Sequence, residues 1–198
     1  FWFGLDEFDT DKVTENDKKQ IINQVHRYSL LKISGLIFFI LFIFIVQSFR
    51  WSGEKGAQKA HENFINYFSE KRFAKCSNSI SDDYSDQWDF NNDEIALALR
   101  DYAKHFFLSF QANWQNNSIR KTSETYQITG NLKIDGTGNQ ITEMIIKETR
   151  THLLDPFTFH WKKSGFLPWS WKLIRIEHSK LEVPSGYVPG KSFNSLRW

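Results

Sequence analysis

The stretch ISGLIFFILFIFIVQSF, Ile33 to Phe49, contains no Asp, Glu, Lys or Arg. Lys32 precedes it and Arg50 follows it. At about 1.5 Å of rise per residue the run makes a helix of about 25 Å, and the two leucines before Lys32 extend it towards the ~30 Å hydrocarbon core of a bilayer. The run therefore predicts a single transmembrane helix over residues 30–50.

A cleaved signal peptide is the alternative interpretation of this run. The run begins only at Ile33, it is longer than the usual apolar core of a signal peptide, and the residues from Gln47 to Trp51 do not form a small-x-small cleavage site. We therefore expect a retained anchor.

Basic residues near the run predict its orientation. Four lie on its N-terminal side and three on its C-terminal side: Lys18, Lys19, Arg27 and Lys32, then Arg50, Lys55 and Lys59. Because cytoplasmic flanks carry the excess of Lys and Arg, the N-terminus is expected in the cytoplasm. The following domain is then expected on the outer (periplasmic) face of an inner (plasma) membrane.

Composition limits the classes of function. The chain has 198 residues, a formal net charge of +2 and one cysteine, Cys76. A single cysteine excludes an intramolecular disulfide framework and a Cys-rich zinc site, and the balanced charge argues against a nucleic-acid binder. We predict no cofactor, no metal site and no nucleic-acid partner.

Patterning divides the chain into four parts. We expect a tail and juxtamembrane helix over 1–29, the span over 30–50, an α+β domain over 57–183 and an extended tail over 184–198. Helical spacing predicts helices over 57–73 and 93–107, with a short helix or turn at 73–80 between them. A helix from about Glu15 is expected to run into the span.

Strand patterning begins at about Ser118. Apolar and polar residues alternate from Tyr126 to Ile134, and DGTGN at 135–139 predicts a hairpin turn. We expect a return strand over 141–154, a short strand over 157–161 and a long last strand over 169–183.

Two segments resemble a known family. AHENFINYFSEKRFAKCSNSISDDYSDQW, from Ala60, and GFLPWSWKLIRIEHSKLE, from Gly165, resemble the first helices and the last strand of the nuclear-transport-factor-2-like (SnoaL-like) superfamily. The resemblance covers roughly 57–182. It implies a cone-shaped domain of helices packed on a curved antiparallel sheet, with a pocket inside, here carried on a single-pass anchor.

The topology is also similar to that of the bitopic inner-membrane subunit of type IV secretion systems, which is one candidate context.

Enzymes of the resembled superfamily place an Asp–His pair or an acid–tyrosine set in the cone pocket, because proton abstraction needs a base in a dry cavity. Asp101 and His105 are the candidate pair, since they are four residues apart on one predicted helix; a solvated helix face is the favoured alternative. His152, His160 and His178 fall on predicted strands and form a site only if they converge.

Aromatic residues supply the candidate partner contacts. The densest cluster is Phe157, Phe159, Trp161, Phe166, Trp169 and Trp171, which is compatible with core packing, with a ligand pocket or with an exposed contact surface. The two ends of the chain add Phe1, Trp2, Phe3 and Trp198.

Two functions follow as expectations. The first is a non-enzymatic, membrane-anchored subunit that scaffolds or stabilises a larger membrane protein complex and has the bilayer and other subunits as partners. The alternative is a tethered protein that binds a small apolar ligand, or an isomerase or dehydratase that uses the cone pocket.

Overall fold

The computed structural model describes residues 15–138, 140–152, 154–183 and 186–191, and it divides the chain between Val46 and Gln47 into two compact units. The elements in chain order are α1 (Glu15–Arg50), α2 (Gly53–Ser69), α3 (Phe73–Ser79), α4 (Asn92–Ala103), β1 (Ser109–Thr122), β2 (Thr125–Thr137), α5 (Gln140–His152), β3 (Phe157–Lys163) and β4 (Trp171–His178). The fold class is α+β, as the sequence predicts.

α1 contains the apolar run. It begins at Glu15, where the sequence predicts its start, and the 18-residue window that represents its stretch from His26 to Arg50 has a mean hydropathy of 2.6. The large apolar side chains from Leu36 to Phe42 are all exposed. By length and composition, this helix can cross a membrane.

The second unit is built on a curved, four-stranded antiparallel sheet in the order β1–β2–β3–β4. Register shifts lie between Asn116 and Ser118 in β1 and between His160 and Trp161 in β3. Such bulges bend a strand and increase its twist, which lets the sheet curve around a helix.

α2 packs on the concave face of this sheet. Helical spacing places Ala57, Ala60, Phe64 and Phe68 on one side of α2, and all four are buried. The sheet contributes Ile128, Phe159, Trp161, Leu173 and Ile176 to the same hydrophobic core.

α4 begins at a capping box. The Asn91 side chain accepts hydrogen bonds from the backbone N–H groups of Asp93 and Glu94, and the Glu94 carboxylate accepts one from the Asn91 N–H. The predicted helix is confirmed, but it ends at Ala103 rather than at residue 107.

One predicted strand is wrong. Residues 141–154 were expected to return from a hairpin, but β2 continues to Thr137 and α5 follows it. Thr142, Ile145 and Ile146 point towards the domain, whereas Met144 is exposed, which is helical spacing. A short apolar run with both spacings is ambiguous from sequence alone.

The hairpin predicted at 135–139 is therefore also wrong. The tight hairpin lies between β1 and β2, at Ser123 and Glu124, where Ser123 adopts a left-handed backbone with φ 53°. Other boundaries also differ: α2 begins at Gly53 rather than at residue 57, β1 begins at Ser109 rather than near Ser118, and the last strand is shorter than predicted.

Candidate functional site

The interior between α2 and the sheet is where a cone pocket would lie, and aromatic rings fill it. His61 of α2 is fully buried there. Its ring centroid lies 4.4 Å from that of Trp114, 4.7 Å from that of Phe159 and 6.1 Å from that of Trp161. Edge-to-face contacts of this kind are the preferred packing of rings.

The hydrogen bond of His61 determines its tautomer, and its burial determines its charge. Its Nδ1 accepts a hydrogen bond of 3.3 Å from the indole N–H of Trp161, so the proton of the neutral ring lies on Nε2. This Nε2 is buried without a hydrogen-bond partner. Burial lowers the pKa of His61 to about 3, so the ring is neutral near pH 7. Since Trp161 occupies its one lone pair, His61 is poorly suited to act as a general base.

His61 is not among the site residues predicted from the sequence. Its burial was predictable, because His61, Phe64 and Phe68 follow the helical spacing of the buried face of α2, but its hydrogen bond to Trp161 was not.

Asp101 is buried on α4, where its carboxylate fastens the C-terminal segment 186–191. It accepts hydrogen bonds from the Gly190 N–H at 2.7 Å, the Lys104 ammonium at 2.9 Å and the Tyr187 hydroxyl at 3.2 Å. Burial alone would raise the pKa of Asp101, but these hydrogen bonds and the Lys104 charge hold it below its usual value. These hydrogen bonds hold the segment 186–191 against α4.

His105, the other half of the predicted pair, lies just after α4. Its backbone carbonyl accepts a hydrogen bond from the Thr142 hydroxyl, which attaches α5 to this region. Burial and the neighbouring Lys104 lower the pKa of the His105 ring, and Asp101 opposes them.

Of the three histidines predicted to lie on strands, His152 is instead the last residue of α5, and within the described residues His160 and His178 do not share a site. The His160 ring contacts Glu177 at 3.1 Å, whereas the His178 ring bonds to the Asp155 carbonyl and accepts from the Leu181 N–H. The side chain of His152 lies outside the described residues. Within the described part of the chain, no three His, Cys, Asp or Glu side chains lie together as a metal site requires.

The aromatic cluster divides into two groups. Phe157, Phe159, Trp161 and Trp171 belong to the buried core, so they do not offer an exposed contact surface. Phe166 and Trp169 lie in the connection between β3 and β4, where they are 85% and 46% exposed. The other candidates, at positions 1–3 and 198, lie outside the described residues.

The described surface also carries a concentrated positive charge. A cleft of about 460 Å³, which we call the basic cleft, is lined by Lys71, Arg72, Phe73, Ala74, Lys75 and Arg100. Arg72 forms an ion pair of 2.8 Å with Glu70. Four cations around one cleft create a positive potential that favours an acidic group.

Aromatic rings hold these cations in place. The Lys75 ammonium lies 5.2 Å and the Arg72 guanidinium 5.4 Å from the ring centroid of Tyr67, and the Arg100 guanidinium lies 5.9 Å from that of Phe73. Three of the four cations lie in the run KRFAK at 71–75, which was visible in the sequence, but Arg100 joins them only through packing of α3 on α4.

No protein-family model and no curated protein matches this sequence. Solved structures do show similarity. Bd1075 of Bdellovibrio bacteriovorus aligns with a TM-score of 0.46 and 12% identity over 63% of this chain, and the alignment spans only 39% of Bd1075.

Two further structures are described by their fold. An NTF2-like protein of unknown function from Pseudomonas putida has a TM-score of 0.42 and 7% identity over 62% of this chain and 82% of its own. A domain of unknown function with a cystatin-like fold from Nostoc punctiforme has a TM-score of 0.45 and 9% identity over 66% and 78%. We transfer no functional residue from these proteins.

Proposed function

We propose that this chain is a non-enzymatic subunit of a membrane protein complex, which it scaffolds or stabilises through the domain that follows its anchor. The observation that carries the proposal is the filled interior together with the charged surface. The rings around His61 occupy the place of a pocket, and Asp101 is engaged by three donors. The accessible chemistry lies on the outside, in the basic cleft.

The anchor supplies the membrane part of the proposal. The stretch from His26 to Arg50 is long and apolar enough to span a bilayer, and the excess of basic residues on its N-terminal side favours a cytoplasmic N-terminus. The domain is then periplasmic in a single-pass inner-membrane protein. A type IV secretion-like assembly is one setting with this arrangement.

The basic cleft is the partner site we propose. Lys75, Arg72 and Arg100 are exposed there, and Phe73 provides an apolar wall. Cation–carboxylate contacts beside an aromatic ring fit an acidic segment of another subunit.

Purification in mild detergent tests this proposal. The double variant Lys75→Glu and Arg100→Glu reverses the charge of the cleft at two exposed positions, and it is expected to lose most of the partner proteins that co-purify with the parent chain. Lys133→Glu, at an exposed position on β2, is the matched control and is expected to retain them. Equal recovery of partners with the double variant and the control would contradict the proposed site.

The buried His61 favours one second candidate, a tethered protein that binds a small apolar ligand or isomerises or dehydrates one. Its Nε2–H is a hydrogen-bond donor with no partner inside an aromatic box, which a ligand carbonyl would satisfy if the rings opened. A thermal-shift screen with small apolar ketones tests this candidate. Stabilisation of the parent chain but not of His61→Phe would support it, and no shift in either protein would reject it.

A further inference from the structure

The connection between β3 and β4 exposes several large apolar side chains. We call residues 164–170, SGFLPWS, the aromatic loop. Phe166 is 85% exposed, Trp169 46% and Leu167 44%, whereas Pro168 between them is buried. Three large apolar side chains exposed within four residues form a patch of the kind that marks an interaction surface.

Backbone hydrogen bonds hold the loop in this conformation. The Ser164 N–H donates to the Ser170 carbonyl at 2.6 Å and closes the base. The Leu167 carbonyl accepts both the N–H of Ser170, at 3.1 Å, and its hydroxyl. Gly165 adopts a left-handed backbone with φ 88°, which a residue with a side chain rarely does. The exposed side chains are therefore presented by an ordered turn.

The loop lies close to the point where the chain leaves the apolar helix. The indole N–H of Trp171 donates to the Trp51 carbonyl at 3.1 Å, and Trp51 directly follows Arg50, the last residue of the apolar stretch. Trp169 precedes Trp171 by two residues, so their Cα atoms are at most about 7 Å apart. If a bilayer contains the helix up to Arg50, Trp51 lies at its surface, and the loop is connected to that point through Trp171.

The surroundings of the loop match the interfacial region of a bilayer. Trp171 packs against Tyr126 with ring centroids 5.6 Å apart, and Trp51 carries the Lys59 ammonium 4.7 Å from its ring centroid. Trp, Tyr and Lys are the residues that membrane proteins place at headgroup depth.

Charge next to the loop is mostly positive. Lys163 is exposed directly before it, and the Lys172 ammonium, just after it, bonds to backbone carbonyls. Lys162 forms an ion pair of 3.1 Å with Glu124, and Glu54, three residues after Trp51 in the chain, adds a second carboxylate. The excess of cations is compatible with anionic headgroups.

We propose that Phe166, Leu167 and Trp169 insert into the interfacial region of the same bilayer that holds the anchor, so that the domain contacts the membrane at a second point. This inference rests on the anchoring that we propose above. The occupant is a lipid surface rather than a protein, because the hydrogen bond between Trp171 and Trp51 ties the loop to the site where the chain enters the membrane.

Site-specific fluorescence in vesicles tests the inference with the whole chain. Phe166→Cys carries an environment-sensitive maleimide dye, and the protein is reconstituted alone into phosphatidylcholine and phosphatidylglycerol vesicles that contain lipids spin-labelled near the headgroup. The native thiol of Cys76 is fully buried, and burial raises its pKa to about 12, so the parent chain sets a low labelling background.

Two matched positions make the result decisive. Lys133→Cys places the dye at an exposed site on β2, eight residues beyond Thr125, which pairs with Lys162 beside the loop. Ile40→Cys places it within the apolar helix and is read with lipids spin-labelled deep in the acyl chain. We expect quenching and a blue shift at position 166, quenching at 40 and neither at 133.

Each other result overturns the inference in an identifiable way. Quenching at position 40 with none at position 166 would support the anchor and show that the loop does not contact lipid. No quenching at 40 removes the anchor itself, and the inference with it. Equal quenching at 166 and 133 indicates general adsorption of the domain to vesicles and removes the specific role of the loop.

Discussion

At the scale of single residues, His61 links the packing of the domain to pH. Its folded pKa of about 3 lies below the ordinary value of 6.5, so the unfolded chain binds more protons between these two values. The contribution of His61 to stability is therefore complete above pH 6.5 and decreases as the pH falls towards 3. Between pH 7 and pH 5 we expect it to lower the free energy of unfolding by about 2 kcal/mol.

The variant His61→Phe isolates this effect. It leaves the Trp161 N–H without its acceptor, so we expect it to be less stable than the parent chain at pH 7 by about 1–3 kcal/mol. Between pH 7 and pH 5, the free energy of unfolding of the variant is expected to decrease by about 2 kcal/mol less than that of the parent chain. Urea unfolding in detergent, followed by tryptophan fluorescence at both pH values, measures both differences. An unchanged pH dependence would show that His61 is not a neutral buried group in the folded chain.

Asp101 gives the second prediction at this scale. Replacing it with alanine removes the hydrogen bonds that the Tyr187 hydroxyl and the Gly190 N–H donate to Asp101, which is expected to cost about 1–3 kcal/mol and to loosen the segment 186–191. Tryptic cleavage after Lys191 should become severalfold faster. The exposed Asp83→Ala serves as the control and should be cleaved at the parent rate. If Asp101→Ala is cleaved no faster than this control, the hydrogen bonds do not hold the segment.

At the scale of elements, the close approach of α2 to β4 depends on Gly56. A Cβ atom at this position would meet the Trp51 carbonyl and would lie 2.6 Å from Nε1 of Trp171. Gly56→Ala is therefore expected to destabilise the domain by about 1–3 kcal/mol, although Gly→Ala normally favours a helix. Gly35→Ala in α1, where a Cβ meets nothing within 4 Å, is the matched control. Chemical unfolding of the two variants should separate them, and equal midpoints would contradict the tight contact.

The elements also show what sequence patterns can predict. The helices α2 and α4 depend on local apolar spacing, and the structure has both close to the predicted residues 57–73 and 93–107. α5 was mistaken for a strand because Ile141, Ile145 and Ile146 fit both periodicities over a short run. The roles of His61 and Asp101 depend on Trp161 and Gly190, which are distant in the chain, so local patterns could not reveal them.

At the scale of the whole molecule, one chain combines a helix with exposed apolar side chains and a domain whose aromatic side chains are mostly buried. The helix exposes Leu36, Phe38 and Phe42, whereas the domain buries its aromatic residues against α2. Exposed apolar side chains along a helix of this length are compatible with a lipid environment and costly in water. The proposed role places the domain on the outer face of the membrane, so it depends directly on the orientation of this helix.

Labelling of cysteines in intact cells tests that orientation. The excess of basic residues on the N-terminal side of the span predicts Lys163 outside and Lys19 in the cytoplasm. A membrane-impermeant maleimide is thus expected to label Lys163→Cys in spheroplasts, and Lys19→Cys only after lysis, because the bilayer blocks its access. Both positions are exposed, and the parent chain with its buried Cys76 supplies the blank. The margin of four basic residues to three is small, and the reverse labelling pattern would show that the orientation is the opposite one. Recovery of the chain in the aqueous fraction without detergent would show that the helix is not a membrane anchor.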